Sequence, residues 1–147
     1  MIFSKSFGYA LRGILYVAIQ QKQADHISIA EISERLEVPK HFLAKIMKRV
    51  AEEGILHSTR GPHGGFSITD TTLQTRIMEI AKLTESVNPM NTCVLSFRKC
   101  NAKKPCPLHS RFAEIKDLMT DSLSNTTIGN LLDEKNKNFI KVITETP

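Results

Sequence analysis

The chain has 147 residues, of which 41% are hydrophobic, and it carries a formal net charge of +5. This length allows one core of ordinary size and excludes an assembly of several large domains. The longest apolar run is only a few residues, and the N-terminus lacks the charged, apolar and small-residue succession of a signal peptide. We therefore expect a soluble cytoplasmic protein, and the positive charge predicts a polyanionic partner. By charge alone this partner could be DNA, RNA or a membrane surface; the position of the charge, described below, favours DNA and no membrane.

Two helices are predicted in the first quarter of the chain. Ser4 or Ser6 is expected to cap a first helix that runs to about Gln21, since apolar residues repeat along it at helical spacing. Ser28, followed three residues later by a glutamate, predicts a capping box and a short helix over residues 29–37. Both helices are expected to bury their apolar stripes in one core.

The third predicted helix carries positive charge on one face. Pro39 suits its first position, because the missing N–H would be unpaired there in any case. Apolar side chains at helical spacing are predicted to face inward, namely Phe42, Leu43, Ile46, Met47 and Val50. The opposite face then presents Lys40, His41, Ala44, Lys45, Lys48 and Arg49. A face of this kind is either merely solvated or reads DNA.

The segment after this helix favours DNA binding. Residues 55–60 and 66–69 have strand character, and the five residues 61–65 between them are predicted to form a hairpin tip that needs positive φ. From Pro39 to Gly65 there are five Lys or Arg residues and only two acids. A helix, a short turn, a basic helix and a glycine-rich hairpin are typical of a winged helix-turn-helix, whose second helix enters the major groove.

The candidate DNA-binding residues divide by chemistry. Lys40, His41 and Lys45 are predicted to reach base edges, with the small Ala44 allowing close approach. Lys48, Arg49 and Arg60 are predicted to neutralise phosphates. Arg60 and His63 are also candidates for a minor groove. The wing adds three glycines to the predicted interface: Gly61, Gly64 and Gly65.

Two further helices are predicted beyond the hairpin. Thr72 is expected to cap a fourth helix with Leu73, Ile77, Ile80 and Ala81 on its apolar face. A longer amphipathic helix, residues 107–124, carries a stripe that a small monomer cannot cover alone, so we predict a dimer interface at Phe112, Ile115, Met119 and Leu123. A capped helical turn is expected over residues 126–132.

The predicted elements divide the chain into four parts. Residues 1–85 are expected to form the winged helix-turn-helix domain, and residues 86–109 a cysteine-containing loop. Residues 110–132 are expected to form the dimerisation helix with its capping turn. Residues 133–147 are polar and expected to be a disordered tail.

Three cysteines and a histidine in the loop follow the spacing C-x6-C-x5-C-x2-H: Cys93, Cys100, Cys106 and His109. No acid lies between Cys93 and Cys106, whereas Arg98, Lys99, Lys103 and Lys104 do, and cations of this kind favour thiolates. Such residues can hold an iron-sulfur cluster or zinc, act as redox-active thiols, or have no special chemistry, and spacing alone leaves these alternatives open. With no orienting group or oxyanion hole to be found, we do not expect an enzyme.

Four segments resemble the Rrf2 superfamily of bacterial transcription regulators, of the IscR/NsrR-like type. They are the wing 60–66, the stretch Tyr9-Ala10-Leu11-Arg12, the dipeptide Val38-Pro39 and the element Cys106-Pro107-Leu108-His109. The resemblance covers roughly residues 1–132. It implies a mostly α fold with a small β-hairpin wing and a homodimer. We expect this dimer to bind a pseudo-palindromic double-stranded operator, most simply as a repressor.

The resemblance also implies an iron-sulfur cluster on the three cysteines, which would sense iron-sulfur, redox or nitric oxide status. His109 is then the local fourth ligand, which favours a 2Fe-2S cluster, while a 4Fe-4S cluster stays open. Some relatives use a carboxylate from the first helix of the partner subunit, but the matching position here is Gly8 and the first acid of the chain is Asp25. The alternative is a cluster-free regulator that uses thiol oxidation, zinc or a protein partner.

Overall fold

Six α-helices and one two-stranded hairpin make up the part of the chain that the computed structural model describes, which is residues 2–21, 24–95, 98–133, 141 and 143. In chain order they are α1 (Lys5–Gln20), α2 (Ile29–Leu36), α3 (Lys40–Glu52), β1 (Leu56–Thr59), β2 (Gly65–Ile68), α4 (Ile77–Thr84), α5 (His109–Asn125) and α6 (Ile128–Leu131). A 3₁₀ turn, Thr72–Gln74, precedes α4. The predicted mostly α fold with a β-hairpin wing is confirmed.

Local capping fixes the starts of the first two helices. The Ser4 side chain accepts a hydrogen bond from the Phe7 backbone N–H at 3.3 Å, and Ser28 accepts from the Glu31 N–H at 3.1 Å. Each bond satisfies a donor that the helix itself leaves unpaired. At α3, Pro39 is the N-cap rather than the first helical residue, which is a shift of one position.

The core forms where α1, α2 and α3 pack together. Its fully buried side chains include Ala10, Ile14, Val17, Ile32, Leu43, Met47 and Val50. The inward prediction for Phe42 was wrong, because its side chain is 42% exposed and contacts the Tyr9 ring edge-on at 5.8 Å between centroids. The buried residues of α3 repeat as i, i+3, i+4 and i+7 from Leu43, and Phe42 lies at the edge of that stripe.

A buried tyrosine joins α1 to α2. The Tyr16 hydroxyl donates a hydrogen bond to Glu31 Oε1 at 2.8 Å. Burial, together with the hydrogen bond to Glu31, raises the pKa of Tyr16 to about 12. This contact holds the first turn of α2 in place relative to the core, and α2 in turn positions one wall of the site described below.

The wing is anchored to the segment before α2. β1 and β2 pair antiparallel, from Leu56 opposite Ile68 to Thr59 opposite Gly65. On the other side of β2, Phe66 exchanges backbone hydrogen bonds with Ile27 at 2.8 and 2.9 Å. One edge of β2 thus pairs within the hairpin, and the other edge ties the hairpin to the segment before α2.

Glycines permit the wing for two different reasons. Gly61 has φ of +108°, as the predicted tip requires. At Gly64 and Gly65 the reason is close approach rather than positive φ. A Cβ atom on either residue would collide with a backbone carbonyl, that of Thr59 or that of Ile27 respectively.

The fourth helix begins later than the sequence predicted. Thr72 lies in the 3₁₀ turn, and α4 starts at Ile77 after Arg76, whose N–H donates to the Glu79 carboxylate at 2.7 Å. The buried Thr72 hydroxyl instead donates to the Ile55 carbonyl at 2.6 Å and accepts from the Thr69 N–H at 2.7 Å. Leu73, predicted on the apolar face of the helix, is 44% exposed.

The end of α5 returns to the winged unit. The Ile77 N–H donates to the Thr126 carbonyl, and the Ile128 N–H to the Thr75 carbonyl, both at 2.9 Å. Ile128, in the predicted capped turn, is fully buried in the core. The capping turn therefore packs with the winged unit and fixes the direction in which α5 leaves it.

The prediction for the tail, residues 133–147, falls mostly outside the described residues. Two residues of the tail, Lys141 and Ile143, have helical backbone, and Ile143 is buried against the core. Within the described ranges, no helix has both the length and the apolar character that crossing a bilayer requires.

Candidate nucleic-acid interface and cysteine loop

The polar face of α3 is directed away from the core. Burial of Leu43, Ile46, Met47 and Val50 leaves the opposite side of the helix in water. Lys40, His41, Lys45 and Lys48 are exposed, as predicted from the sequence, and the small Ala44 is half-buried among them. This face therefore places four basic side chains around Ala44, where the small side chain lets another molecule approach the helix closely.

A groove brings α3 and the wing together. Lys40 and Ala44 line one wall, and the wing residues Arg60, Gly61, Gly64 and Gly65 line the other. The first turn of α2 forms a further wall, at Ser28, Ile29 and Ala30. Residues that the sequence assigned to two separate elements therefore share one concave surface. The first turn of a helix adds backbone N–H groups suited to an anion.

A second groove lies on the other side of Arg60. Lys48, Glu52, His57 and Ser58 line it together with Arg60. Lys48 approaches Glu52 at 3.8 Å, but both side chains are largely exposed, so the ion pair holds Lys48 only weakly. Arg60 thus lies between two grooves, and His63 is exposed on the wing tip.

Arg49 has a different neighbourhood from the other α3 cations. Its Nη2 donates to the Leu83 carbonyl in the last turn of α4 at 2.6 Å. A cation here satisfies one of the carbonyls that a helix leaves unpaired at its C-terminus. The contact joins α3 to α4 across 34 residues of sequence.

The cysteine loop begins as a short hairpin-like segment. Thr92 and Lys99 form an isolated antiparallel bridge. The Cys93 N–H donates to the Arg98 carbonyl at 2.6 Å, and the Cys100 N–H donates to the Asn91 carbonyl at 2.7 Å. We call residues 91–100 the cysteine hairpin; its residues 96 and 97 lie outside the described part. Cys93 is 7% exposed.

Cys100 lies beside α5. Its Sγ is 3.4 Å from His109 Nδ1, at the first residue of α5, and 3.7 Å from Lys116 Nζ, two turns further on. Cys106 is half-exposed, and its carbonyl accepts from the His109 N–H at 2.9 Å. The three cysteines form no disulfide with one another.

The donor set suits an iron-sulfur cluster in chemistry, and the structure brings two of its four members together. Cys100 and His109 supply adjacent sulfur and nitrogen donors. Among the described residues, no group of three or more His, Cys, Asp or Glu side chains converges on one metal position. Seating a cluster would therefore require Cys93 and Cys106 to move toward this pair.

The surroundings of the loop are basic and open. Arg98, Lys99, Lys103 and Lys104 are all exposed. At Gly8 in α1, a Cβ atom would meet nothing within 4 Å, so the helix has room for a side chain but supplies no ligand there.

The long helix α5 lacks a fully buried residue, and all of it lies in the described part of the chain. Its apolar face includes the half-buried Phe112, Met119 and Leu123, and Ile115, which is 48% exposed. Leu118 on the same face is 68% exposed. Ile115, Leu118, Met119 and Leu123 line one shallow apolar depression. Exposed apolar patches are typical of interaction surfaces, so this depression is the candidate dimer interface.

Comparison with known proteins decides the family. The sequence profile of the Rrf2 family, described as iron-dependent transcriptional regulators, matches residues 3–134. The chain belongs to the Rrf2 family. The resemblance drawn from the wing, the first helix and the Cys106–His109 element is thereby confirmed.

Relatives of this Rrf2 protein are regulators too. A protein of Aquifex aeolicus assigned to the HTH-type transcriptional regulators is 31% identical over 144 residues, 97% of this chain and 99% of that protein. The HTH-type transcriptional regulator IscR of Pectobacterium atrosepticum is 28% identical over 128 residues, 86% of this chain and 76% of IscR. Since these relatives are transcription regulators, the expectation that the chain is not an enzyme is confirmed.

A solved structure supports the same fold. The global cysteine regulator CymR of B. subtilis matches with a TM-score of 0.71 and 18% identity, covering 88% of this chain and 94% of CymR. At that identity the likeness shows the winged-helix fold of an Rrf2 protein and nothing more specific.

Several residues of the Rrf2 surface were missed from the sequence. The first turn of α2 was recognised as a helix start from Ser28, but not as a wall of the groove. His57 was not among the residues predicted to contact DNA, although it lines the second groove. Leu118 was left out of the α5 stripe, although its i, i+3 relation to Ile115 was available. The contacts of Lys116 could not be predicted from the sequence, because both of its partners lie in the cysteine hairpin, far from it in the chain.

Proposed function

We propose that this Rrf2 protein is a homodimeric transcription regulator, most simply a repressor, that binds a pseudo-palindromic operator. The proposal is carried by the groove that α3, the wing and the first turn of α2 share. Each protomer would place α3 in a major groove and its wing against the adjacent backbone, so that two half-sites mirror the two-fold axis. Residues 1–85 would then be the DNA-binding unit and residues 110–132 the dimerisation unit.

The roles within the interface follow from exposure and reach. Lys40, His41 and Lys45, with Ala44, would face base edges near the start of α3. Lys48 and Arg60 would neutralise phosphates, and the backbone N–H groups of the first α2 turn would bind another phosphate. Arg49 would act differently: because its guanidinium already donates to the Leu83 carbonyl, it would position α3 on α4.

Removing a cation that neutralises a phosphate should change the salt dependence of operator binding. For Lys48→Ala or Arg60→Ala, we expect the slope of log affinity against log salt to become shallower by about one unit for each phosphate that is no longer neutralised. Arg49→Ala removes the same charge from the same helix as Lys48→Ala and should leave the slope unchanged. Operator titrations at four salt concentrations would measure these slopes.

Three results would contradict these roles. A slope for Arg49→Ala as shallow as that for Lys48→Ala would mean that Arg49 also contacts phosphate, and a wild-type slope for Lys48→Ala would mean that Lys48 does not. A wild-type affinity independent of salt would mean that the winged helix contacts protein rather than DNA.

We further propose that the cysteine loop senses iron-sulfur, redox or nitric oxide status by holding a cluster on Cys93, Cys100 and Cys106, with His109 as fourth ligand. Support comes from the thiol-rich donor set, the Cys100–His109 distance of 3.4 Å and the basic loop around them. The nitrogen donor beside a thiol favours a 2Fe-2S cluster over a 4Fe-4S cluster. When bound, such a cluster supplies one-electron chemistry and iron that oxidants and nitric oxide attack.

A second candidate function is thiol-based sensing without a cluster. Cys100 is half-exposed and lies within 4 Å of both a histidine and a lysine, at 3.4 and 3.7 Å. Partly exposed, electropositive surroundings are typical of redox-active cysteines. Oxidation to a sulfenic acid or a disulfide would then replace cluster loss as the signal.

Purification without oxygen would distinguish the candidates. We expect a red-brown protein with thiolate-to-iron absorption bands and about two iron atoms per protomer, as a 2Fe-2S cluster contains. A colourless protein that contains zinc would point to a structural site. A colourless, metal-free protein whose thiols gain oxygen or form a disulfide with peroxide would favour the second candidate.

A further inference from the structure

A lysine in the middle of α5 contacts the cysteine hairpin at two points. Lys116 Nζ donates a hydrogen bond to the Thr92 carbonyl and lies 3.7 Å from Cys100 Sγ. The side chain is half-buried, whereas its helix neighbours Ile115 and Asp117 are exposed. Long cationic side chains usually keep their charged ends in water, so this placement calls for a reason.

The two contacts fall on opposite sides of the cysteine hairpin. Thr92 lies on its first side, where it pairs with Lys99, and Cys100 is its last residue. The Cys100 N–H closes the hairpin by donating to the Asn91 carbonyl at 2.7 Å. One ammonium group therefore holds both sides of the hairpin against α5, at the end where the hairpin begins and closes.

Lys116 also lies within the proposed dimer helix. It adjoins Ile115 in sequence, and Met119 follows one turn later; both line the apolar depression of α5. Residues three or four apart on a helix are neighbours, so Lys116 lies beside Met119 on the surface of α5. If α5 shifts relative to the cysteine hairpin, its apolar face shifts with it.

We propose that Lys116 is the positioning residue that couples the state of Cys100 to α5. A change in the charge or position of Cys100 Sγ would change its contact with the Lys116 ammonium group. The cysteine hairpin would then shift its position along α5. The inference rests on the proposed function in one respect, namely that α5 sets the spacing of the two DNA-binding units.

The test compares three full-length variants. Lys116→Met removes the ammonium group but keeps a flexible chain of similar length, whereas Lys116→Arg keeps the charge and a donor. Arg111→Met is the matched control, because it removes one exposed cation from the same helix. If Lys116→Met does not fold, as judged by circular dichroism, Lys116→Gln takes its place.

Two measurements are made on each variant. The first is hydrogen exchange of the Cys93 and Cys100 amides in the reduced, metal-free protein, which needs neither a cluster nor DNA. The second is the ratio of operator affinities between cluster-loaded and cluster-free protein at one salt concentration. We expect Lys116→Met to exchange both amides at least ten-fold faster and to reduce the affinity ratio to within about two-fold of unity, from a wild-type ratio of roughly 5 to 150. Lys116→Arg should keep amide exchange and the affinity ratio close to the wild-type values. Arg111→Met should match the wild type in both measurements.

The outcomes separate this inference from the function on which it rests. Unchanged amide exchange in Lys116→Met would overturn the positioning role, whatever the DNA results. Faster exchange with an undiminished affinity ratio would overturn the coupling, leaving Lys116 as a merely structural contact. A wild-type ratio of one would reject cluster-dependent regulation and with it the coupling, and the exchange data would still decide whether Lys116 holds the hairpin.

Discussion

The double variant Ile115→Glu, Leu118→Glu should be a folded monomer that has lost specific operator binding. The two side chains are 48% and 68% exposed in the isolated protomer, so glutamates there cost the monomer little. In the proposed dimer the same positions are buried against their two-fold mates, and four carboxylates would be desolvated and brought together. Because each protomer covers only one half-site, operator affinity should fall by roughly 10³-fold or more, toward non-specific binding.

Sedimentation equilibrium and operator titration at fixed salt would check this result. Leu73→Glu is the matched control, because it places the same charge on a leucine that is 44% exposed outside α5. We expect that variant to remain dimeric and to bind the operator. A double variant that still dimerises would mean that the apolar face of α5 is not the interface.

Replacing a cysteine of the loop should remove regulation without unfolding the protein. We expect Cys100→Ala and Cys106→Ala to purify without a cluster and to bind the operator like the cluster-free wild type. Their affinity should differ from that of the loaded wild type by roughly 5- to 150-fold, the usual size of an allosteric coupling. His109→Ala should retain a labile cluster, because the nitrogen ligand is removed but the three thiolates stay.

The measurement is operator affinity of loaded, cluster-free and Cys100→Ala protein at one salt concentration. Ser110→Ala, an exposed neighbour of His109 on α5, serves as control and should resemble the wild type. Equal affinity for all forms on every operator tested would make the cysteine loop structural. Regulation would then enter elsewhere in the molecule.

The sequence alone determined the features that depend on a few neighbouring residues. Ser28 marked the start of α2, and the sequence narrowed the start of α1 to Ser4 or Ser6, of which Ser4 is the cap, because a capping bond spans only three residues. The period of buried residues in α3 gave its inner face, apart from Phe42 at the stripe edge. The glycine-rich tip gave the wing, and the cysteine spacing gave the candidate ligands on which the proposed cluster rests.

Only the tertiary structure decided which distant groups meet. From the sequence, Arg49 is one more cation on a basic helix. In the structure it contacts the end of α4, 34 residues later in the chain. Thr72 has the sequence of a helix cap, but the buried Ile55 carbonyl, 17 residues away, takes its hydroxyl and α4 begins later. Lys116 meets Thr92 across 24 residues. Such contacts depend on the angles at which helices pack, and these angles are set by the core as a whole rather than by any local pattern.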